Sequence, residues 1–348
     1  MKNQILLFLF LFVASFLNAQ VGGDNVYEFV NLSSSARISA LGGNLITVRD
    51  DDVNLAFDNP AAANPAMHQA IAFSHNFFLS DINHGYAAYA HYAPKWDLTL
   101  HGGIKYISYG QFDRTDIFGN TDGSFKAGEY ALALGAGRQL YERLAVGANL
   151  KFISSQLESY NSFGVMGDLA GMFLDTASNF TATLVFKNIG GQLSTYHDGL
   201  REKAPFEIQA GISKRLKYLP FRFSIIFHNL QRWNILYDDP NQEDSGGIFG
   251  DLGTQDSGNP WVDNLFRHFI FNGEFLFGKK ENFRVRLGYN HFRHKEMTVN
   301  NFRSLAGFSF GAGIKINRFR LDYGREIWHL AGGVNHISIS TSIKEFVR

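Results

Sequence analysis

The chain has 348 residues with 32 basic and 32 acidic side chains, so no net charge draws it toward nucleic acid or an anionic surface. It has no cysteine, which excludes disulfides and thiolate metal centres. Its 34 Phe, 14 Tyr and 35 Gly against only 7 Pro suit strands packed with small residues better than helices.

The first twenty residues, MKNQILLFLFLFVASFLNAQ, carry Lys2, an apolar run from Ile5 to Phe16 and small residues near Ala19. This is the pattern of a secretory signal peptide over 1–19, cut between Ala19 and Gln20. The apolar run is shorter than the roughly 20 residues a membrane helix needs, and no later stretch approaches that length. Any passage of the mature chain through a membrane must therefore be by a closed barrel, which leaves no unpaired backbone in hydrocarbon.

Residues 20–66 form a distinct N-terminal segment in which strand-like alternation is missing. SSSARISALGG offers Ser34 or Ser35 as an N-cap, a short helical run, and Gly42 and Gly43 as its stop. A second short helix is expected near Asp52, ended by Asn59-Pro60, with Asn64-Pro65 turning the chain again. Such a segment either folds into a barrel lumen as a plug or packs beneath it in the periplasm; both fit the sequence. Asp50, Asp51 and Asp52 suit the positive end of the second helix better than a calcium site.

From residue 67 to 348 a two-residue alternation recurs. In RLAVGANLKF, Leu144, Val146, Ala148, Leu150 and Phe152 fall on one face, and Ala145, Gly147, Asn149 and Lys151 on the other. LTLHGGIKY, FTATLVFK, FEIQAGIS, FRFSIIFH, FRVRLGYN, FGAGIKI, FRLDY and HISISTSI repeat the pattern. With weaker candidates the count is about fourteen strands of roughly ten residues, the length a tilted membrane strand needs. Tight turns near 94–97, 139–142, 175–179, 217–220, 278–282 and 317 take turns with longer links at 110–129, 188–204, 231–261 and 294–303.

Short and long connections in alternation are the mark of an outer-membrane barrel, and they put both termini on the periplasmic side. The expected fold is thus all-β: a closed antiparallel transmembrane barrel, preceded by a short, partly helical plug or periplasmic segment. A soluble two-sheet sandwich is the rival, and it has no reason to sort its loops this way. In the barrel, the apolar faces meet outer-membrane lipid and aromatics such as Tyr106, Phe152, Phe180 and Tyr289 sit at the interfaces. Lys105, Lys151, Lys187, Glu207, Arg222, Glu274, Arg284, Arg286 and Asp322 point inward.

The stretch from Tyr27 to Ala61, with FKNIGGQL, APFEIQAGISKRL and DNLFRHFIFNGEF, resembles the PorV/PorQ family of outer-membrane barrels. That family is related to the FadL fatty-acid transporters and belongs to the type IX secretion system. The resemblance implies a non-enzymatic accessory component that anchors or docks partners during secretion and surface attachment of cargo. The partners it implies are PorZ, PorU and PorV, with no nucleic acid and no cofactor. The FadL kinship also allows a different role, transport of small hydrophobic molecules, which requires an apolar pocket and a lateral opening between strands.

No zinc helix, Walker loop, dinucleotide fingerprint or Ser-x-x-K pair is present, so no catalytic or metal residue is assigned. GFSFG at 307–311 has nucleophile-elbow spacing, but Phe308, Phe310, Ala312 and Ile314 run a strand face through it, which makes Ser309 a lumen residue. The long connection 231–261 carries Trp233, Tyr237, Phe249 and Trp261 among Asp and Gly. Aromatic anchors in a polar loop are what protein interfaces use, so these four are the candidate docking residues. A loop folded back over the barrel mouth would hide the same side chains.

Overall fold

The computed structural model describes residues 25–197, 199–236, 260–278, 281–297, 304–329 and 332–346, so the expected signal peptide lies outside the described residues. Fourteen antiparallel strands close into a barrel in chain order. They are β1 (Ala70–Phe77), β2 (Asn83–Ala93), β3 (Leu98–Thr115), β4 (Thr121–Tyr141), β5 (Leu144–Leu157), β6 (Tyr160–Asp175) and β7 (Phe180–Ser194). Then follow β8 (Glu207–Arg215), β9 (Phe221–Phe227), β10 (Phe269–Phe277), β11 (Phe283–Asn290), β12 (Phe308–Ile316), β13 (Phe319–His329) and β14 (Gly332–Ser342). Closure comes from β1 pairing with β14, Ala70 opposite Ser342.

The alternation sorts side chains as the sequence implies. Leu134 and Leu150 are paired across β4 and β5 and both face outward, exposed, whereas Lys151 next door is fully buried in the lumen. Phe73, Ile104, Leu169, Leu184, Leu287 and Ile337 continue the outward apolar band. An outward apolar band on that scale suits contact with lipid.

All six tight turns cluster at one end, the turn end. Asp97, Asn179 and Asn317 take left-handed backbone there (φ 48°, 52° and 51°), which short polar side chains tolerate best. The opposite, loop end departs from expectation. The stretch 110–129 is mostly strand, because β3 and β4 continue as a paired hairpin to Thr115 and Thr121. Phe112 and Phe125, paired across it, stack at 5.3 Å and stiffen the extension. Likewise β7 runs on to Ser194, and β5 and β6 meet at a two-residue turn.

The N-terminal segment threads the lumen from end to end. It starts at the loop end, where Asn25 bridges Lys203 in the β7–β8 connection, and leaves at the turn end, where Gln69 accepts a hydrogen bond from Ile343 N–H. The two ends of the described chain therefore lie at opposite ends of the barrel, whereas the alternation of short and long connections puts both termini on one side. Helix α1 (Ala36–Ser39) is capped by Ser35, whose side chain accepts from Ile38 N–H, and Gly42 and Gly43 stop it at φ 76° and 85°. Helix α2 (Leu55–Asp58) ends at Asn59, which caps the Pro60 turn through Ala61 N–H.

The plug has its own apolar core. Ile38, Leu41, Leu45, Ile46, Leu55 and Phe57 are buried with inward alanines of the wall, among them Ala72, Ala88, Ala133 and Ala145. Small wall residues leave room for a packed interior. Gly324 and Gly288 go further: a Cβ would lie 2.2 Å from the Ala36 carbonyl oxygen and 2.1 Å from Gly42 N, so only glycine lets the plug backbone approach there. At the loop end, α3 (Pro260–Arg267) and α4 (His291–Met297) cover part of the mouth.

Candidate functional site

Two sets of buried charges hold the plug. On the β9–β13 wall, the Arg37 guanidinium meets Asp50 at 2.8 Å, Asp52 at 3.2 Å and Glu274 at 3.2 Å. Glu274 also pairs with Arg222 and with Arg286, at 2.9 Å for the latter, and Arg286 continues to Asp322. On the β3–β7 wall, Lys187 reaches Asp58 at 2.9 Å and Lys151 reaches Asp168 at 2.8 Å. Lys105 donates to the Val30 carbonyl at 3.0 Å and sits 4.1 Å over the Phe57 ring. Most of these charges are buried, and each has an ion-pair partner except Lys105, which is held by backbone carbonyls and the ring; such partners are the condition for burying a charge.

The acidic run at 50–52 has a different use from the one the sequence suggests. Asp50 and Asp52 serve Arg37, and Asp51 pairs with Arg320 on β13 at 3.1 Å. Asp50 and Asp52 also accept backbone N–H groups two residues on, from Asp52 at 3.2 Å and Asn54 at 3.1 Å, but no side chain caps α2. Spatial proximity to Arg37 on α1 and Arg320 on β13, invisible in the sequence, outweighs the helix end. Ser309 lies inside β12 and accepts a hydrogen bond from Gly42 N–H at 2.8 Å, so it anchors the plug as a lumen residue.

With the middle of the lumen filled, cavities remain at its ends. A polar mouth cavity of about 1160 Å³ lies between the plug, the β7–β8 connection and α4, lined in part by Glu28, Lys187, Glu207, His228 and Arg293. A second cavity of about 600 Å³ opens beside it under the β3–β4 hairpin. Its walls are Val26 and Tyr27 from the start of the plug, Tyr109 and Phe112 from β3, Tyr160 from β6, and Tyr196. At the turn end a smaller space of about 280 Å³ borders Val53, Ala66 and Ala70.

The second cavity is rigidly framed. Tyr27 is hydrogen-bonded to Ser162, Tyr196 donates to Ser155 at 2.6 Å, and Tyr109 donates to the Glu129 carboxylate at 2.5 Å. Burial pushes the phenols of Tyr27 and Tyr196 above their ordinary values, Tyr196 to about 12 with the Glu129 carboxylate adding to the effect, so both stay neutral. The result is an aromatic pocket whose floor is the plug itself.

Beside the mouth cavity the wall is interrupted. Pairing of β7 with β8 stops at Lys187 opposite Glu207, and Ile189 to Ser194 pair with β6 alone. Asn188 marks the break: its φ is 58°, its N–H donates to Asp168 at 2.8 Å, and the β6–β7 register slips there. Above the break, β7 meets the β7–β8 connection through side chains, Asn188 donating to the Pro205 carbonyl at 3.0 Å and Gln192 accepting from Glu202 N–H at 2.8 Å.

Solved structures share this architecture. The CymD monoaromatic hydrocarbon channel matches at TM-score 0.52 over 91% of this chain and 99% of its own, with 13% identity. The toluene transporter TodX of Pseudomonas putida matches at 0.50 over 89% and 96%, with 10% identity. A Pseudomonas aeruginosa FadL homologue matches at 0.51 over 92% and 100%, with 10% identity. The fold is that of the FadL-like outer-membrane barrels. No protein-family model matches the chain, and no curated protein matches it by sequence.

In this FadL-like barrel the four expected docking residues do not form one described patch. Trp233 is half-exposed at the loop end and stacks on His268 at 5.3 Å, its carbonyl accepting from Asn264 at 2.7 Å. Trp261 is exposed on α3. Tyr237 and Phe249 lie outside the described residues. The aromatic pocket escaped sequence reasoning because its walls come from the plug, β3, β6 and the β7–β8 connection. The one signal available was aromatic residues, Phe112 and Tyr196, inside stretches read as polar loops.

Proposed function

We propose that the chain is an outer-membrane conduit for small hydrophobic molecules, with the segment 25–68 as its internal gate. The observation that carries this is the aromatic pocket at the loop end, built directly on the first residues of the plug. A ligand filling it touches Val26 and Tyr27, so its binding energy is available to bias the plug. The break between β7 and β8 supplies the lateral interruption that release of an apolar solute into the bilayer calls for. The relatives in architecture include proteins described as a monoaromatic hydrocarbon channel and a toluene transporter, which supports the same reading.

The test is uptake of a radiolabelled monoaromatic hydrocarbon by cells whose lipopolysaccharide-bearing outer membrane does or does not contain the chain. Faster entry with the chain present is expected. Equal entry would overturn the proposal.

A second reading keeps the type IX resemblance: a PorQ-like component that docks PorZ, PorU or PorV through its loop end. The exposed Trp233 and Trp261 favour it. Its test is a pull-down from solubilised outer membrane with Trp233→Ala and Trp261→Ala, which should lose those partners.

A further inference from the structure

We propose that the loop-end aromatic pocket selects a hydrophobic organic cation, an alkyl- or arylammonium, over neutral or anionic ligands of the same size. This rests on the conduit reading and narrows its substrate class. Four tyrosines and one phenylalanine face the cavity, and no Lys or Arg is among the residues lining it. Three carboxylates, Glu28, Glu129 and Glu202, are.

Elsewhere in this lumen the buried carboxylates Asp58, Asp168 and Glu274 are answered by arginine or lysine. Here the buried Glu129 is not, and Glu28 and Glu202 stand exposed beside it. Among the described residues, none of the three has an ion-pair partner. Glu28 accepts only from the side chains of Asn25 and Asn31, at 2.8 and 3.1 Å. Glu129 is the telling case: it is 5% exposed, lies on β4 facing the cavity, and has only the hydroxyls of Tyr109 and Ser155 for company. A buried carboxylate held by neutral hydroxyls alone is costly unless a cation arrives.

The tyrosine and phenylalanine faces supply the complement. Ring faces carry negative quadrupole charge and attract an ammonium that has shed part of its water, most strongly a quaternary one. The Phe112 ring, backed by Phe125, and the Tyr160 ring, tilted on His197 at 4.6 Å, offer apolar surface for the rest of the ligand. A carboxylate ligand would instead meet three acidic side chains with no Lys or Arg in the lining.

The test uses the full chain in detergent and three probes on one 4-phenylbutyl chain: 4-phenylbutyl-trimethylammonium, its neutral isostere with carbon in place of nitrogen, and 5-phenylpentanoate. Calorimetry should show the cation bound about tenfold or more tighter than the isostere, with the carboxylate weakest. Glu129→Gln should shrink that ratio while the isostere still binds. Glu202→Gln, at an exposed position, should shrink it in the same direction if the first variant does not fold. An isostere bound as tightly as the cation, or no probe bound at all, overturns the proposal. Hydrocarbon uptake without cation preference would leave the conduit standing and remove this inference. Cation preference without hydrocarbon uptake would do the reverse.

Discussion

Arg37 and Glu274 stand 237 positions apart in the chain and 3.2 Å apart in the lumen. One lies on the plug and the other on β10, so this contact joins the two parts of the molecule. Arg37 is 1% exposed and holds Asp50 and Asp52 as well, which makes it the centre of the attachment.

Replacing Arg37 with Leu should therefore cost about 3–5 kcal/mol, because two plug carboxylates and Glu274 lose a buried partner. Denaturant unfolding in detergent measures the loss. Arg37→Lys should recover only part of it, since an ammonium cannot present the planar fork that reaches three carboxylates. Equal stability of the Leu variant and the unaltered protein would show that the plug is held by its apolar core alone.

A side chain at Gly324 or Gly288 should expel the plug without unmaking the barrel. The added atoms would overlap plug backbone at about 2 Å, while the wall hydrogen bonds are untouched. Gly324→Leu is expected to raise single-channel conductance and to expose Arg37 and Arg49 to trypsin, with heat-modifiability on gels retained. Protection equal to that of the unaltered protein would mean that the plug is anchored elsewhere.

Leu150→Arg places a charge on the outward face, opposite Leu134. Facing hydrocarbon near mid-height, it should destabilise the barrel in bilayers by about 2–4 kcal/mol. The same substitution assayed in a soluble sandwich would cost little, so a change under about 0.5 kcal/mol would refute the lipid-facing assignment.

The link between α3 and α4 should depend on pH in one direction. Asp263 meets Arg267 at 2.8 Å, and His291 and Lys295 at 3.4 Å each. Burial alone would raise its carboxyl, but the hydrogen bond and charge of Arg267, with Lys295 and His291 behind them, hold it below the usual range. A carboxyl lowered by folding stabilises above its unfolded pKa of about 3.9 and loses that contribution as pH falls through the lower folded value. Hydrogen exchange of residues 260–267 should be slow and flat from pH 7 to 5, after correction for intrinsic rates, and rise only below about pH 4. Asp263→Asn should abolish the rise.

The strands, their faces and the tight turns were legible because each is a local consequence of the chain. Alternation every two residues puts Leu150 out and Lys151 in, whatever the partner strand is. Turns at Asp97, Asn179 and Asn317 are marked by residues that tolerate left-handed backbone. The β3–β4 hairpin was not legible, because paired strands beyond the membrane need no apolar face and so read as polar loop.

By itself, then, the sequence determined a run of half-apolar strands and a helix-prone segment ahead of them, since propensity and periodicity act over a few residues. Only the tertiary structure decided that this segment runs through the lumen, that Asp50 and Asp52 answer Arg37, and that Tyr27, Tyr109, Phe112 and Tyr160 share a pocket with Glu129. Those contacts join residues tens to hundreds of positions apart, and barrel closure, with the register it imposes, is what brings them within reach.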